Sequence, residues 1–208
     1  MSRKLYAVLA ATAVVALLGG TLGWIEMRRN ADPFAECRGS AVASSGDIGG
    51  PFSLIDETGK RVTDKEVLAK PSLVYFGYTF CPDVCPMDNS RNAEAVDILT
   101  ERGYEVTPVF ISIDPERDTP QSMTDFTDIM HPNMIGLTGS AEEIKAAAQA
   151  YRAYYKKNDT GDQYYLMDHS TFTYLMLPGV GFADFFTRED TAEQMATRTA
   201  CFIDKSRG

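Results

Sequence analysis

Residues 72–86 read SLVYFGYTFCPDVCP, and this stretch decides the fold. Its first seven residues, 72–78, are an almost unbroken apolar run. Such a run marks a strand buried on both faces, as in a parallel sheet. The strand leads straight into Cys81-Pro82-Asp83-Val84-Cys85-Pro86, and a helical pattern follows from Pro86 to Arg102, ending at Gly103. Proline disfavours helical geometry in the residue before it, so the helix is expected to begin at Pro86 with Cys85 as its N-cap. The C-x-x-x-C pair then forms a loop at the carboxyl end of a sheet strand, where sites form in open α/β sheets. A helix N-terminus lowers thiol pKa values. Two thiolates on a short loop can hold a soft metal or close a disulfide.

Working outward, residues 52–55 and 61–63 read as a small hairpin and 106–113 as a second buried strand. Thr119-Pro120 is an N-cap followed by proline at the first helical position. Met123, Phe126, Ile129 and Met130 are expected on one face of that helix, and a short strand at 134–138. Ile144, Ala147, Ala148, Tyr151 and Tyr155 fall at helical spacing in the next element. Residues 171–177 and 181–186 read as a hairpin around Pro178-Gly179, before a last helix over about 190–203. Strands alternating with helices imply a parallel sheet with right-handed crossovers, and the final hairpin adds antiparallel strands. The expected class is α/β: a thioredoxin-like fold with an N-terminal β-hairpin and one extra αβ insertion near 120–138.

Only two histidines are present in the 208 residues. His169 lies just before the strand at 171–177. That strand should run antiparallel beside 72–78, so its beginning lies next to the cysteines. Cys81, Cys85 and His169 would suit Cu(I), Cu(II) or Zn(II), with Asp168 orienting the imidazole. Taken alone, the cysteine pair is equally a structural disulfide or a redox dithiol, and a lone histidine is more often a cap. Their convergence at one sheet end is what points to metal. His131, before Pro132 at a helix end, reads as structural.

Leu5 to Ile25 is a run of 21 residues without a charge, flanked by Arg3 and Lys4 and by Glu26, Arg28 and Arg29. As a helix it spans roughly 30 Å, the thickness of a hydrocarbon core. Residues 19–27 contain no convincing small-x-small site, which favours an uncleaved signal anchor over a cleaved signal peptide. The resulting division is a cytoplasmic tip at 1–4, an anchor at 5–25, a linker at 26–47 and one domain at 48–208. It places the domain in the periplasm of a bacterial inner membrane. The formal charge is −9 overall and −12 beyond residue 30, which excludes nucleic acid as a natural partner.

Cys37 falls in the linker, and Cys201 lies opposite Ala192 on the wheel of the last helix. An outward cysteine in an oxidising compartment calls for a partner, so a Cys37–Cys201 disulfide is expected. It would close about 165 residues and contribute on the order of 5 kcal/mol at most.

Three segments together are similar to the Sco/SenC family. They are Tyr75 to Pro86, Ile111-Ser112-Ile113-Asp114-Pro115-Glu116-Arg117-Asp118-Thr119-Pro120, and Asp168-His169-Ser170. The resemblance covers about residues 48–205. It implies a thioredoxin-like domain anchored in the membrane, copper bound at Cys81, Cys85 and His169, and a role in assembling the binuclear copper centre of cytochrome c oxidase subunit II. Other periplasmic copper chaperones are further possible partners. The implied protein is a copper carrier, and whether it is also an enzyme stays open, since one dithiol could serve both copper carriage and thiol–disulfide exchange. The alternative is a thiol–disulfide oxidoreductase that reduces the target's cysteines. The Asp114 to Pro120 segment itself reads only as a strand end and helix cap.

Overall fold

The structure is a computed structural model and describes residues 12–25, 32–38, 48–158, 161 and 164–207. The chain divides into two units, Met1–Arg38 and Gly39–Gly208. In the first, residues 12–25 form an exposed helix, α1. Asp32 accepts a hydrogen bond from the Phe34 N–H (3.0 Å) and pairs with Arg38. Residues 5–11 of the expected anchor and most of the expected linker lie outside the described residues. Among the described residues no helix is long and apolar enough to cross a membrane.

The second unit is built on a seven-stranded sheet. Strands β1 (Ser53–Asp56) and β2 (Arg61–Thr63) form the expected hairpin. A four-residue helix, α2 (Asp64–Val67), follows at once. It was not anticipated, although Thr63 and Glu66 spell a capping box: the Glu66 carboxylate accepts from the Thr63 N–H at 2.8 Å. Strand β3 (Ser72–Gly77) is buried at every position. The reason is its place in the sheet, hydrogen-bonded in parallel to β4 (Thr107–Ser112) on one side and antiparallel to β8 (Thr173–Leu177) on the other. The remaining strands are β5 (Ile135–Thr138), β6 (Tyr155–Asn158), β7 (Leu166–His169) and β9 (Gly181–Phe186). The sheet order is β2-β1-β5-β4-β3-β8-β9, and β6 pairs with β7 in a separate two-stranded sheet. Within the seven-stranded sheet the elements follow the expected β-α-β-α-β-α progression with a ββ-α ending, whereas the β6–β7 pair between α5 and β8 was not expected.

Helix α3 (Val84–Glu101) departs from expectation at its start. It begins two residues early, with Asp83 as N-cap, so Cys85 belongs to its first turn and not to the loop. Pro86 becomes the third helical residue, where the N–H has no intrahelical acceptor and its loss costs nothing. Helix α4 (Pro120–Met130) is capped as expected, Thr119 accepting from the Ser122 N–H at 3.2 Å. Its inner face differs: Met123 and Thr127 are buried, whereas Ile129 is 80% exposed. At 100° per residue, Ile129 lies 240° from Met123 and faces water. Helix α5 (Ala141–Ala150) buries Ile144, Ala147 and Ala148. It ends at Tyr151, and Arg152 takes φ 53°. Tyr155 therefore begins β6 and is not part of the helix. Helix α6 (Ala192–Arg207) buries Ala192, Met195, Ala196, Thr199, Phe202 and Ile203. Cys201 lies on its partly exposed side.

Candidate metal centre

Strand β3 ends at Gly77, and the chain turns through Tyr78, whose carbonyl accepts from the Cys81 N–H (3.2 Å). Cys81 thus sits in the turn, and Cys85 one helical turn below it in the first turn of α3. Both sulfurs are enclosed: Cys81 is 7% exposed and Cys85 not at all. The Cys85 N–H points at the Cys81 sulfur at 3.4 Å. Gly77 makes room for them, since a Cβ there would meet the Cys85 sulfur and the Phe110 ring at 2.8 Å and the Tyr75 ring at 2.9 Å.

His169 reaches the cysteines by an unexpected route. It is the last residue of β7, paired with Tyr155 of β6, and not the lead-in to β8. Its Nε2 lies 3.4 Å from the Cys85 sulfur, and its Nδ1 lies 2.9 Å from the Ser170 carbonyl. A carbonyl can only accept, so Nδ1 carries the proton and Nε2 turns its lone pair toward the sulfurs. The ligand atoms of Cys81, Cys85 and His169 all lie within 4.8 Å of one another. Asp168 does not orient the ring. Successive side chains of a strand point to opposite faces, and its carboxylate accepts from Asn158 Nδ2 at 2.7 Å. The orienting acceptor is the Ser170 carbonyl. His131 is structural: Nδ1 accepts from the Asn133 N–H (3.1 Å), and Nε2 faces Asp97 (3.3 Å).

The two thiols are unequal. Hydrogen bonding from the Cys85 thiol holds Cys81 well below the usual thiol range, aided by the N–H groups of Asp83 and Cys85, against the cost of burial. The same bond, with burial, pushes Cys85 up. One thiolate is therefore ready at Cys81, and the second proton must be displaced.

The segment after β4 ties the site together, a role that sequence reading missed. Asp118 is buried and accepts from Ser112 Oγ (2.6 Å), Thr79 Oγ1 (2.6 Å) and the Thr79 N–H (3.2 Å), pinning the turn that carries Cys81. Asp114 accepts from the Tyr165 hydroxyl (2.7 Å) and from Arg117 Nε (2.5 Å). Arg117 donates to the Tyr165 carbonyl (2.9 Å) and stacks on its ring, 3.6 Å from the centroid. Tyr165 directly precedes β7. Three residues between β4 and α4, Asp114, Arg117 and Asp118, thus span both ligand-bearing segments. The only sequence signal was the pair of acids in Asp114 to Asp118; their partners, 39 and 51 residues away, follow no period. A cavity of about 750 Å³ opens elsewhere, beside Lys70, Thr107 and Ile135 at the beginnings of the strands, and holds none of these groups.

Comparison with known proteins is consistent with this arrangement. The family model described as SCO1/SenC matches residues 40–204. The chain is 54% identical to Protein SenC of Rhodobacter capsulatus over 204 residues, covering 98% of this chain and 92% of that protein. It is 47% identical over 154 residues to Protein SCO1 homolog 1, mitochondrial, of Arabidopsis thaliana, covering 74% of this chain but only 46% of that longer protein. The fold is similar to the crystal structure of Arabidopsis thaliana ScoI with copper bound. There the TM-score is 0.71 at 45% identity, covering 77% of this chain and 98% of that one.

Proposed function

We propose that this chain, which belongs to the SCO1/SenC family, carries copper on Cys81, Cys85 and His169. Its recipient would be the binuclear copper centre of cytochrome c oxidase subunit II. The observation that carries the reading is the convergence of two sulfurs and one imidazole nitrogen within 4.8 Å, drawn from two segments far apart in the sequence. Two soft thiolates with one imidazole suit copper, and the solved Arabidopsis relative holds copper. Copper is cargo here. Loading takes up the Cys81 thiolate and displaces the Cys85 proton, so affinity falls as pH falls. Handover proceeds by ligand exchange. The cysteines are sealed in the core and His169 is only partly buried, so an incoming ligand approaches on the histidine side.

The domain would work from the periplasmic face of a bacterial inner membrane, held by residues 5–25 through the linker at 26–47. A Cys37–Cys201 disulfide belongs to the same proposal, because Cys81 and Cys85 keep free thiols for metal. A non-reducing mass map that finds Cys37 alkylated would overturn that pairing. The carrier reading is tested by anaerobic Cu(I) competition on the reduced chain, wild type beside His169→Ala. Tight one-to-one binding that weakens about tenfold or more in the variant supports it. Little binding by either protein overturns it. The second reading, a thiol–disulfide oxidoreductase, is favoured by one observation: the unequal thiols, with Cys81 ready to attack.

A further inference from the structure

The guanidinium of Arg117 lies between the two segments that bear the ligands. On the histidine side it meets Tyr165, the residue before β7. Nη1 donates to the Tyr165 carbonyl (2.9 Å), and the guanidinium lies 3.6 Å from the centroid of that ring. On the cysteine side its neighbours are the rings of Phe80 and Tyr78, at 4.8 and 5.7 Å. Phe80 directly precedes Cys81, and the Tyr78 ring stands edge-on to His169 at 5.8 Å. Nε donates to the buried Asp114 carboxylate at 2.5 Å and so fixes the plane of the group. The two segments do not depend on this contact equally. The turn bearing Cys81 leaves a fully buried strand and is pinned separately by Asp118. Strand β7 pairs with β6 in a sheet of two strands, and such a pair is marginally stable by itself. It is held to the body of the domain by Arg117 on Tyr165, by the Tyr165 hydroxyl on Asp114, and by the Met167 N–H, which donates to the Tyr78 hydroxyl oxygen at 3.3 Å. Lys157 of β6 also lies over the Tyr165 ring, at 4.0 Å, but it belongs to the same satellite. Its ion pair with the exposed Glu116 adds little.

We infer that Arg117 is a positioning residue of the metal centre. By clamping Tyr165 against the cysteine turn it holds the His169 imidazole within reach of the sulfurs, and it acts on copper through that third ligand alone. The inference rests on the copper reading above. The clamp needs a planar group, which donates to Asp114 and to the Tyr165 carbonyl while lying against the ring. A lysine ammonium would supply the charge without the fork.

The test is a double-mutant cycle. Copper affinity is measured by competition in wild type, Arg117→Gln, His169→Ala and the chain carrying both changes. Arg117→Gln should weaken binding about tenfold, and the double variant should bind as His169→Ala does. In the Cu(II) form of Arg117→Gln, the imidazole nitrogen splitting should fade from the electron paramagnetic resonance spectrum while the sulfur-to-copper absorption band persists. In the metal-free variant, amide exchange should quicken over 166–169 and not in β3. Arg117→Lys keeps a cation beside Asp114 and serves if Arg117→Gln folds poorly; it should behave as Arg117→Gln does. A further tenfold loss in the double variant would mean that Arg117 acts on the domain as a whole, and would overturn the inference. So would wild-type affinity and an intact nitrogen splitting in Arg117→Lys. A wild-type chain that binds no copper would overturn the copper reading itself, and this inference with it.

Discussion

The two halves of the candidate metal centre are built in opposite ways. Cys81 and Cys85 belong to the core: β3 is flanked by strands on both sides, and every one of its residues is buried. His169 belongs to a two-stranded satellite sheet with exposed Leu166 and Asp168. It is held in place by side chains, through Tyr165, Asp114, Arg117 and Tyr78. The core half is fixed by close packing, which tolerates little change. The satellite half is fixed by a few hydrogen bonds, each worth about 1 kcal/mol net. In the proposed carrier the thiolates would stay where they are, whereas the imidazole could yield during ligand exchange.

The largest expected effect falls on the core half. Gly77→Val places a branched side chain where even a Cβ would meet Cys85, Phe110 and Tyr75 at 2.8–2.9 Å. The loss should be about 3 kcal/mol, read from urea denaturation, with copper binding lost as well. A stable variant that kept its copper would show that the core half gives way as the satellite half does.

Asp118→Ala comes next. It strips Ser112 and Thr79 of their acceptor and leaves donors unsatisfied, at a cost of about 2 kcal/mol. The turn bearing Cys81 should loosen while β6 and β7 stay protected in hydrogen exchange. Tyr165→Phe inverts the pattern. It removes the bond to Asp114 and should cost only about 1 kcal/mol. Exchange should quicken in 155–158 and 166–169 and nowhere in β3 or β4. Were both variants to loosen both segments equally, the two halves would be one cooperative unit.

The same contrast governs what could be read from sequence. The core half was legible because its pattern is local: the run at 72–78, the cap at Thr119-Pro120 and the hairpin around Pro178-Gly179. It failed only at edges. The restriction that Pro86 places on the residue before it predicts a helix start at Pro86, yet the helix begins at Val84 and carries Cys85, and hydrophobicity places Ile129 on a face that its angle contradicts. The satellite half wrote no such pattern. Residues 155–158 (YKKN) and 166–169 (LMDH) lack clean alternation, and Tyr155 happened to continue a helical spacing. Chemistry and topology singled out Cys81, Cys85 and His169, and the structure brings their ligand-type atoms within 4.8 Å of one another. The clamp from Asp114 to Asp118 was not, because its bonds are set by tertiary placement, which no short period encodes.

The smallest expected effect concerns pH, and it tests why Asp118 can hold the turn. Burial raises its carboxyl above the ordinary value of 3.8, against the opposing pull of bonds from Ser112 and Thr79. The native state then binds this proton more tightly than the unfolded chain does. Its contribution to stability is fully present below 3.8 and is lost as pH rises through the native value. Asp118→Asn cannot titrate. The stability of wild type relative to that variant should therefore increase as pH is lowered through this window, contrary to the usual behaviour of carboxylates. The difference is read from urea midpoints of the two proteins across the acid range. A gap that moved the other way would mean that the hydrogen bonds outweigh burial. The turn would then be held by a charged acceptor stable at all working pH values, and the core half would owe its rigidity to polar bonds as much as to packing.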